Sequence, residues 1–361
     1  MTIVYVLELF YPNIGGVEKL FYTLAKSNIA AGNKVRVITT RFSRELPEKE
    51  IHEGIEIIRL KLSNRFMFTF FGYFAIRKHI SEADIVHTTS FNAAMPAFYA
   101  ARNRKKKCII TYHEVWVDLW KTLPGLNFLQ RFFYRIYEKR LLRLRFGSWV
   151  TPSLYTAGML KINDIPENKI DVIYNGIDYN GSSEKEHPVS KNYVYFGRAG
   201  ISKGLEMLIE AAAKANPEYD HTLYLILPEI KDAYSRKIKN LASETGSGKY
   251  IRIIESIPQE IHFSEYLRTF DFAVIPSVSE GFCFAAAEAA AIGLPVVSSG
   301  RGALSEVVSG KHLHMKEYSA FELEKCLAKA MSGEWEYKPL VSFETETTIK
   351  AYSDLYHRIL K

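Results

Sequence analysis

The chain is poor in cysteine. Its three, Cys108, Cys283 and Cys326, lie far apart and form no C-x-x-C pair. That argues against a disulfide scaffold and a zinc site, and makes a reducing compartment the default. No Asp-x-Asp occurs anywhere, so a metal clamp of that kind is not offered. The full G-x-G-x-x-G is also missing, which argues against a dinucleotide oxidoreductase. The longest apolar stretch, Phe66 to Ile76, is too short and too interrupted to span a bilayer. The opening MTIVYVLELFYP lacks a cationic start and a small-residue cleavage site, and reads as a strand. No internal repeat or low-complexity segment is evident.

What is present suits two domains, because 361 residues exceed one ordinary core. The net charge of +7 conceals an asymmetry: residues 1–175 carry 26 Lys and Arg against 15 Asp and Glu, and the remainder is mildly acidic. Only one half therefore suits an anionic partner. The surplus is densest from Arg102 to Arg145, with 12 bases and 3 acids. No nucleic-acid reader motif accompanies it.

Strand and helix patterns alternate through both halves, which predicts doubly wound α/β domains. Ile3 to Leu9 reads as a buried strand, and the turn Gly15-Gly16-Val17-Glu18 leads into a helix through Leu20, Phe21 and Leu24. Glycines there let backbone N–H groups approach an anion at a helix N-terminus, although a tight turn without ligand has the same sequence. His87 and His113 are each read near the carboxyl end of a strand, where such sheets bind ligands. Residues 180–191 are polar with Gly and Pro, as a linker is. Gly197-Arg198 and Lys203-Gly204 then flank a strand-to-helix loop, a place where bases meet phosphate.

Residues 271–302, DFAVIPSVSEGFCFAAAEAAAIGLPVVSSGRG, organise the second half. An apolar strand stops at Pro276, a polar loop follows, and an alanine-rich helix closes at Gly293 and Pro295. Glu280 lies in the loop and Glu288 inside the helix; singly, each is as consistent with a helix-dipole partner or a solvated face. Together, the Ser-x-x-Glu-Gly-Phe loop, the helix and Gly-x-Pro-Val-Val resemble the donor site of family 4 retaining glycosyltransferases of the GT-B fold.

The resemblance extends over nearly the whole chain and implies two doubly wound Rossmann-like domains facing a central cleft. Their expected limits are 1–178 for the acceptor side, 179–191 for the linker and 192–342 for the donor domain, with 343–361 as a helix crossing back. It implies catalytic roles for Glu280 and His113, and donor contacts from Gly15, Gly16, Arg198, Lys203, Gly281, Phe282, Cys283, Phe284 and Glu288. Within that set Arg198 and Lys203 would meet the diphosphate and Glu288 the ribose. No metal or cofactor is expected beyond the nucleotide diphosphate sugar itself as co-substrate. Cys283 stands where the family has glycine, and Ala285 to Ala287 where it has bulkier residues or proline.

The expected activity is retaining, metal-independent transfer of a hexosyl group to a glycan or lipid-linked acceptor at the cytoplasmic membrane face. Rivals are a soluble transferase with a small-molecule or protein acceptor, a sugar-nucleotide epimerase or phosphorylase, and a non-catalytic binder of nucleotide sugars. A new glycosidic bond in the product separates a transferase from the epimerase, and turnover separates it from the binder. For the aromatic run at 65–78, core packing is the commoner reading and membrane contact the other. The helix pattern at 126–145 puts Leu126, Leu129, Phe133, Ile136, Tyr137 and Leu141 on one face among bases, which adds docking on an anionic membrane surface as an expectation.

Overall fold

A computed structural model describes residues 1–13, 15–62, 65–123, 125–178, 190–227, 233–245, 249–257 and 261–361. The predicted linker lies, for residues 179–189, outside the described residues. The chain divides into two compact units. One comprises residues 1–120, 128–176 and 344–361, and the other 121–127 and 177–343.

The first unit runs β1 (Thr2–Val6), α1 (Gly16–Ala30), β2 (Lys34–Thr40), β3 (Lys49–His52), β4 (Ile55–Leu60), α2 (Arg65–His79), β5 (Ile85–Thr89), α3 (Ala94–Asn103), β6 (Lys107–Thr111), α4 (Phe128–Leu142), β7 (Ser148–Thr151), α5 (Leu154–Ile162) and β8 (Ile170–Val172). Its sheet order is β3-β4-β2-β1-β5-β6-β7-β8, parallel except for the β3 edge. The apolar runs of β1 and β5 are buried on both faces, as central parallel strands must be. On α1, Leu20, Phe21, Leu24, Ala25 and Asn28 are buried, the stripe a helix lays on a sheet.

The second unit runs β9 (Asn192–Phe196), α6 (Leu205–Tyr219), β10 (Thr222–Ile226), α7 (Ala233–Glu244), β11 (Ile251–Ile254), α8 (Phe263–Leu267), β12 (Phe272–Ile275), α9 (Phe284–Ala291), β13 (Val296–Ser298), α10 (Leu304–Val307), β14 (Gly310–His314), α11 (Ala320–Met331) and β15 (Glu336–Lys338). Its order is β11-β10-β9-β12-β13-β14-β15, with β15 antiparallel. The last helix, α12 (Thr345–Leu360), returns to the first unit. There Tyr352, Leu355 and Tyr356 join the core that holds Tyr5, Phe21 and Val37.

Both sheets reverse winding direction beside their central strand, between β1 and β5 in one and between β9 and β12 in the other. Ligand crevices of open α/β sheets lie outside the carboxyl ends of strands at such points. The loops after β9 and β12 hold Arg198, Lys203 and Glu280, so in the second unit the topology itself selects the motif loops.

Three sequence expectations need correction. β5 extends to Thr89, so His87 lies within the strand rather than past its end. The run at 65–78 is a helix, but only Phe68 and Ile76 of its large apolar residues are fully buried; Phe66, Phe70, Phe71 and Phe74 are exposed, which is the opposite of core packing. On α4 the predicted apolar face splits in the same way. Leu141 is buried, while Leu129 and Phe133 are exposed beside Phe128 and Phe132.

Candidate functional site

In the second unit the site is built by three loops that lock together. Val278 N donates to Ser202 O at 2.7 Å, joining the β12 loop to the β9 loop. Ala303 N donates to Glu280 O at 2.7 Å, and Ser299 Oγ to Ser277 O at 2.6 Å, which adds the loop after β13. Arg301 fastens the same seam, donating from Nε to Val278 O at 2.7 Å. Two glycines make this close approach possible. A Cβ on Gly204 (φ +68°) would stand 2.1 Å from Pro276 O, and one on Gly302 (φ +66°) 2.4 Å from Glu280 O. Neither position accepts a side chain, so glycine at both lets the loop backbones close on one another.

That lock brings Lys203 against Glu280, 77 residues later in the chain. Lys203 Nζ donates to Glu280 Oε1 at 2.7 Å, and Ser277 Oγ donates to the same oxygen at 2.7 Å. Oε2 of Glu280 accepts from none of the described residues. Burial disfavours the charge on Lys203, yet the Glu280 carboxylate, with Tyr195 and Cys283, holds its pKa above the usual lysine range. Lys203 is therefore a fixed cation. Arg198 opens the same loop, exposed and without a side-chain hydrogen bond or ion pair to the described residues; Tyr195 Oη donates to its backbone O at 3.1 Å and pins the turn.

Gly281, Phe282, Cys283 and Phe284 lead from Glu280 into α9. Phe282 packs edge-on against Phe284 and Phe343, at 5.4 and 5.1 Å between centroids. Cys283 has φ +80°, a left-handed conformation that favours glycine, which is the residue the family pattern carries there. A non-glycine residue held there stores strain of the order of 1–3 kcal/mol, and such strain collects at functional sites. Burial pushes the Cys283 thiol up, so it remains protonated. Glu288 is partly buried, one helical turn beyond Phe284 on α9.

Gly15, Gly16 and His113 belong to the first unit. Gly15 is the N-cap of α1 and Gly204 that of α6, and neither helix has a side-chain cap. By contrast α5 and α11 are capped by Ser153 and Ser319. First-turn N–H groups without a side-chain cap can meet an anion; α3, α9 and α12 lack such a cap as well, so it is the place of α1 and α6 after the central strands that marks them. Beside Gly16, Asn13 Nδ2 donates to Glu18 Oε1 at 3.0 Å. His113 follows β6, and its Nε2 is buried without a hydrogen-bond partner, a nitrogen left for a ligand to meet. Burial lowers its pKa to about 4, so the ring is neutral at pH 7.

His87 has the opposite character. It is fully buried, with Nδ1 2.8 Å from Tyr356 Oη and Nε2 2.8 Å from Thr111 Oγ1, and it ties α12 to the sheet. Burial, with His113 nearby, lowers its pKa to about 3. A histidine kept neutral in the fold binds fewer protons than in the unfolded chain, so its stabilisation is full above about pH 6.5 and is lost on acidification. We expect the first unit to lose about 4 kcal/mol from this residue between pH 6.5 and 3. Urea unfolding of the unaltered chain and of a His87→Gln variant, followed across that range, checks it; parallel profiles exclude a neutral buried His87.

The sequence reading missed Glu138, on α4. It is fully buried and accepts from Tyr112 Oη at 2.9 Å, Trp116 N at 2.8 Å and Trp120 Nε1 at 2.7 Å. It thereby clamps the segment that follows β6 and carries His113. Burial raises its pKa to about 7 against the opposing pull of those three donors.

The comparisons with known proteins fit this geometry. Residues 14–180 match the family model described as Glycosyltransferase Family 4, and residues 182–346 that of Glycosyl transferases group 1. Among curated relatives, the GDP-mannose:cellobiosyl-diphosphopolyprenol alpha-mannosyltransferase of Xanthomonas campestris is 25% identical over 327 residues, 82% of this chain and 78% of that one. The alpha-monoglucosyldiacylglycerol synthase of Streptococcus pneumoniae is 22% identical over 349 residues, 90% of this chain and 77% of that one. Among solved structures, a sucrose-phosphate synthase from Thermosynechococcus elongatus superposes with a TM-score of 0.75 at 18% identity, covering 99% of both chains.

Proposed function

We propose that this chain, which belongs to the family 4 glycosyltransferases of the GT-B fold, moves a hexosyl group from a nucleotide diphosphate sugar to an acceptor hydroxyl with retention of anomeric configuration. The observation that carries the reading is the contact of Lys203 with Glu280 at the winding reversal of the second sheet. Breaking the glycosidic bond leaves negative charge on the diphosphate and positive charge on the anomeric carbon, and fixed groups aimed at both lower the barrier. Arg198, Lys203 and the uncapped N-terminus of α6 supply the positive field for the diphosphate. Glu280 Oε2 is left for a sugar hydroxyl, and the carboxylate stabilises the anomeric centre. Glu288 takes the ribose and Gly281 to Phe284 line the donor; within the first unit, Gly15 and Gly16 offer backbone N–H groups to an anion and His113 offers a neutral ring.

Metal plays no part in this scheme because protein cations do its work. Incubation with a panel of nucleotide sugars and glycan or polyprenyl diphosphate acceptors should give a product with a new glycosidic bond, at a rate unchanged by EDTA. Loss of activity in EDTA, restored by magnesium or manganese, excludes the metal-free mechanism; isomerised or hydrolysed donor as the sole product excludes transfer.

We further propose that the acceptor is lipid-linked and that the first unit docks on an anionic membrane surface at the cytoplasmic face. No helix among the described residues is long and apolar enough to cross a membrane. The support is a pair of neighbouring helices with unburied aromatics. Phe70 is 73% exposed and Phe74 72% on α2, Phe128 79% and Phe133 62% on α4. Both helices are fastened to the turn after β5, Thr69 Oγ1 donating to Asn92 Oδ1 at 3.0 Å and Tyr137 Oη to Phe91 O at 2.9 Å. The names of the two curated relatives above both contain a lipid, a diphosphopolyprenol in one and a diacylglycerol in the other. In vesicle sedimentation, Phe70→Ser with Phe74→Ser should weaken partition about tenfold to a hundredfold, since inserting one phenylalanine contributes about 1.5–3 kcal/mol when complete. Unchanged partition, or equal binding to neutral and anionic vesicles, rules the docking out.

A further inference from the structure

A cavity of about 600 Å³ opens at the amino ends of two strands of the first sheet, where α3 and α4 end and β6 and β7 begin. Arg102, Lys106, Lys107, Arg143 and Arg145 line it, with half-exposed Tyr99 at its rim, and no acid is among its lining residues. A second cavity of about 620 Å³ shares Arg143 and Arg145. None of the five side chains forms a hydrogen bond or ion pair with the described residues. Other bases of this unit do have carboxylate partners, as Arg36 has Glu56, Arg59 has Glu50 and Arg358 has Asp171. Bases near helix C-termini offset the macrodipole, but that amounts to about half a charge for each helix. It accounts for Arg102 and Arg143 and leaves Lys106, Lys107 and Arg145 uncompensated. Five like charges around one concavity repel, and a compact multivalent anion removes that cost.

The geometry points to a binding site for a phosphate-bearing ligand, diphosphate or a phosphomonoester, held by the three guanidinium groups in bidentate hydrogen bonds and the two ammonium groups as point charges. Within the first unit it is separate from His113: β6 leads from Lys107 toward His113, a span of about 20 Å at ~3.3 Å per residue. The ligand is either soluble or the headgroup of a lipid, and the chemistry is the same for both.

The test is calorimetric titration of inorganic diphosphate into the full chain, its Arg102→Gln/Arg145→Gln variant and its Arg198→Ala variant. Two classes of site are expected in the unaltered protein, with the double variant losing one by at least tenfold while its thermal midpoint holds. Loss of a class in Arg198→Ala reports the donor site separately, so either reading can fail alone. Vesicles containing phosphatidic acid that displace diphosphate from this cavity identify a lipid source; vesicles that leave it bound identify a soluble one. Unchanged binding in the double variant overturns the site. So does an equal loss when two exposed bases away from the cavity, Lys34 and Lys350, are exchanged for glutamine, since the effect is then one of net charge.

Discussion

Exchanging Lys203 for methionine is expected to lower turnover on the order of 10²-fold or more, the usual result of removing one preorganised group aimed at developing charge. The same change exposes a dependence that neither motif reveals alone. Lys203 and Glu280 share one contact at 2.7 Å, and Glu280 is nearly buried with Ser277 as its remaining partner. Without Lys203 the carboxylate keeps its desolvation cost and loses its counter-charge. Glu280→Gln should likewise leave Lys203 with burial that opposes its charge and no carboxylate to offset it. The double variant should therefore be less damaging than the two single changes combined, with a coupling of about 1–3 kcal/mol in unfolding free energy. In turnover it should be scarcely worse than Lys203→Met, because groups acting as a unit do not add. Arg198 gives the contrast: exposed and without an ion pair among the described residues, its change to alanine should cost turnover while stability stays within about 0.5 kcal/mol. Additive effects of Lys203 and Glu280 on stability would remove the ion pair from the mechanism.

Replacing Glu138 by leucine is expected to destabilise the first unit by about 2–4 kcal/mol, because Tyr112 Oη, Trp116 N and Trp120 Nε1 lose their acceptor inside the fold. Turnover should fall further than stability explains, since these donors lie in the segment that carries His113. Glu138→Gln retains one acceptor oxygen and should fall between. The pH dependence has a definite sign. An acid raised to about 7 in the fold is protonated there when the unfolded chain has ionised, so its stabilisation is full below the ordinary glutamate range and is lost as pH rises through 7. This opposes His87, whose stabilisation is lost on acidification. Between about pH 4.5 and 6.5 the two offset each other. Glu138→Gln should therefore steepen the acid loss in that window, as followed by chemical unfolding at several pH values. Unaltered acid sensitivity in this variant, with tryptophan fluorescence around Trp116 and Trp120 unchanged, would show that Glu138 clamps nothing.

Much of this architecture is legible in the residues alone. Apolar runs bounded by Gly and Pro mark the central strands, and the 3.6-residue period of helices such as α1 and α6 marks what lies between them. The loop-helix-strand sequence around Glu280 is long enough to carry the family by itself. These features are local: backbone preference and hydrophobic period operate over a few residues, so a linear reading captures them. The short edge strands β3 and β15 escape it, since three or four residues paired at an edge need little apolar pattern.

Only the tertiary structure decided which side chains meet. Lys203 touches Glu280 because β9 and β12 are neighbours in the sheet and because Gly204 and Gly302 let their loops approach. A two-sided aromatic helix such as α2 has no linear signal telling which side the sheet will cover, so Phe68 went inside and Phe70 outside. The two histidines look alike in sequence. Pairing of β5 on both sides encloses His87 among Tyr5, Tyr352 and Tyr356, whereas His113 lies past the end of its strand with a nitrogen unmet. Glu138 is one of three acids in a basic stretch, and its place beside Leu141 and Leu142 on the buried side of α4 was the one available hint. Periodicity assigns a residue to a face. What covers that face, and which polar groups wait there to be satisfied, depends on chain segments tens or hundreds of residues away.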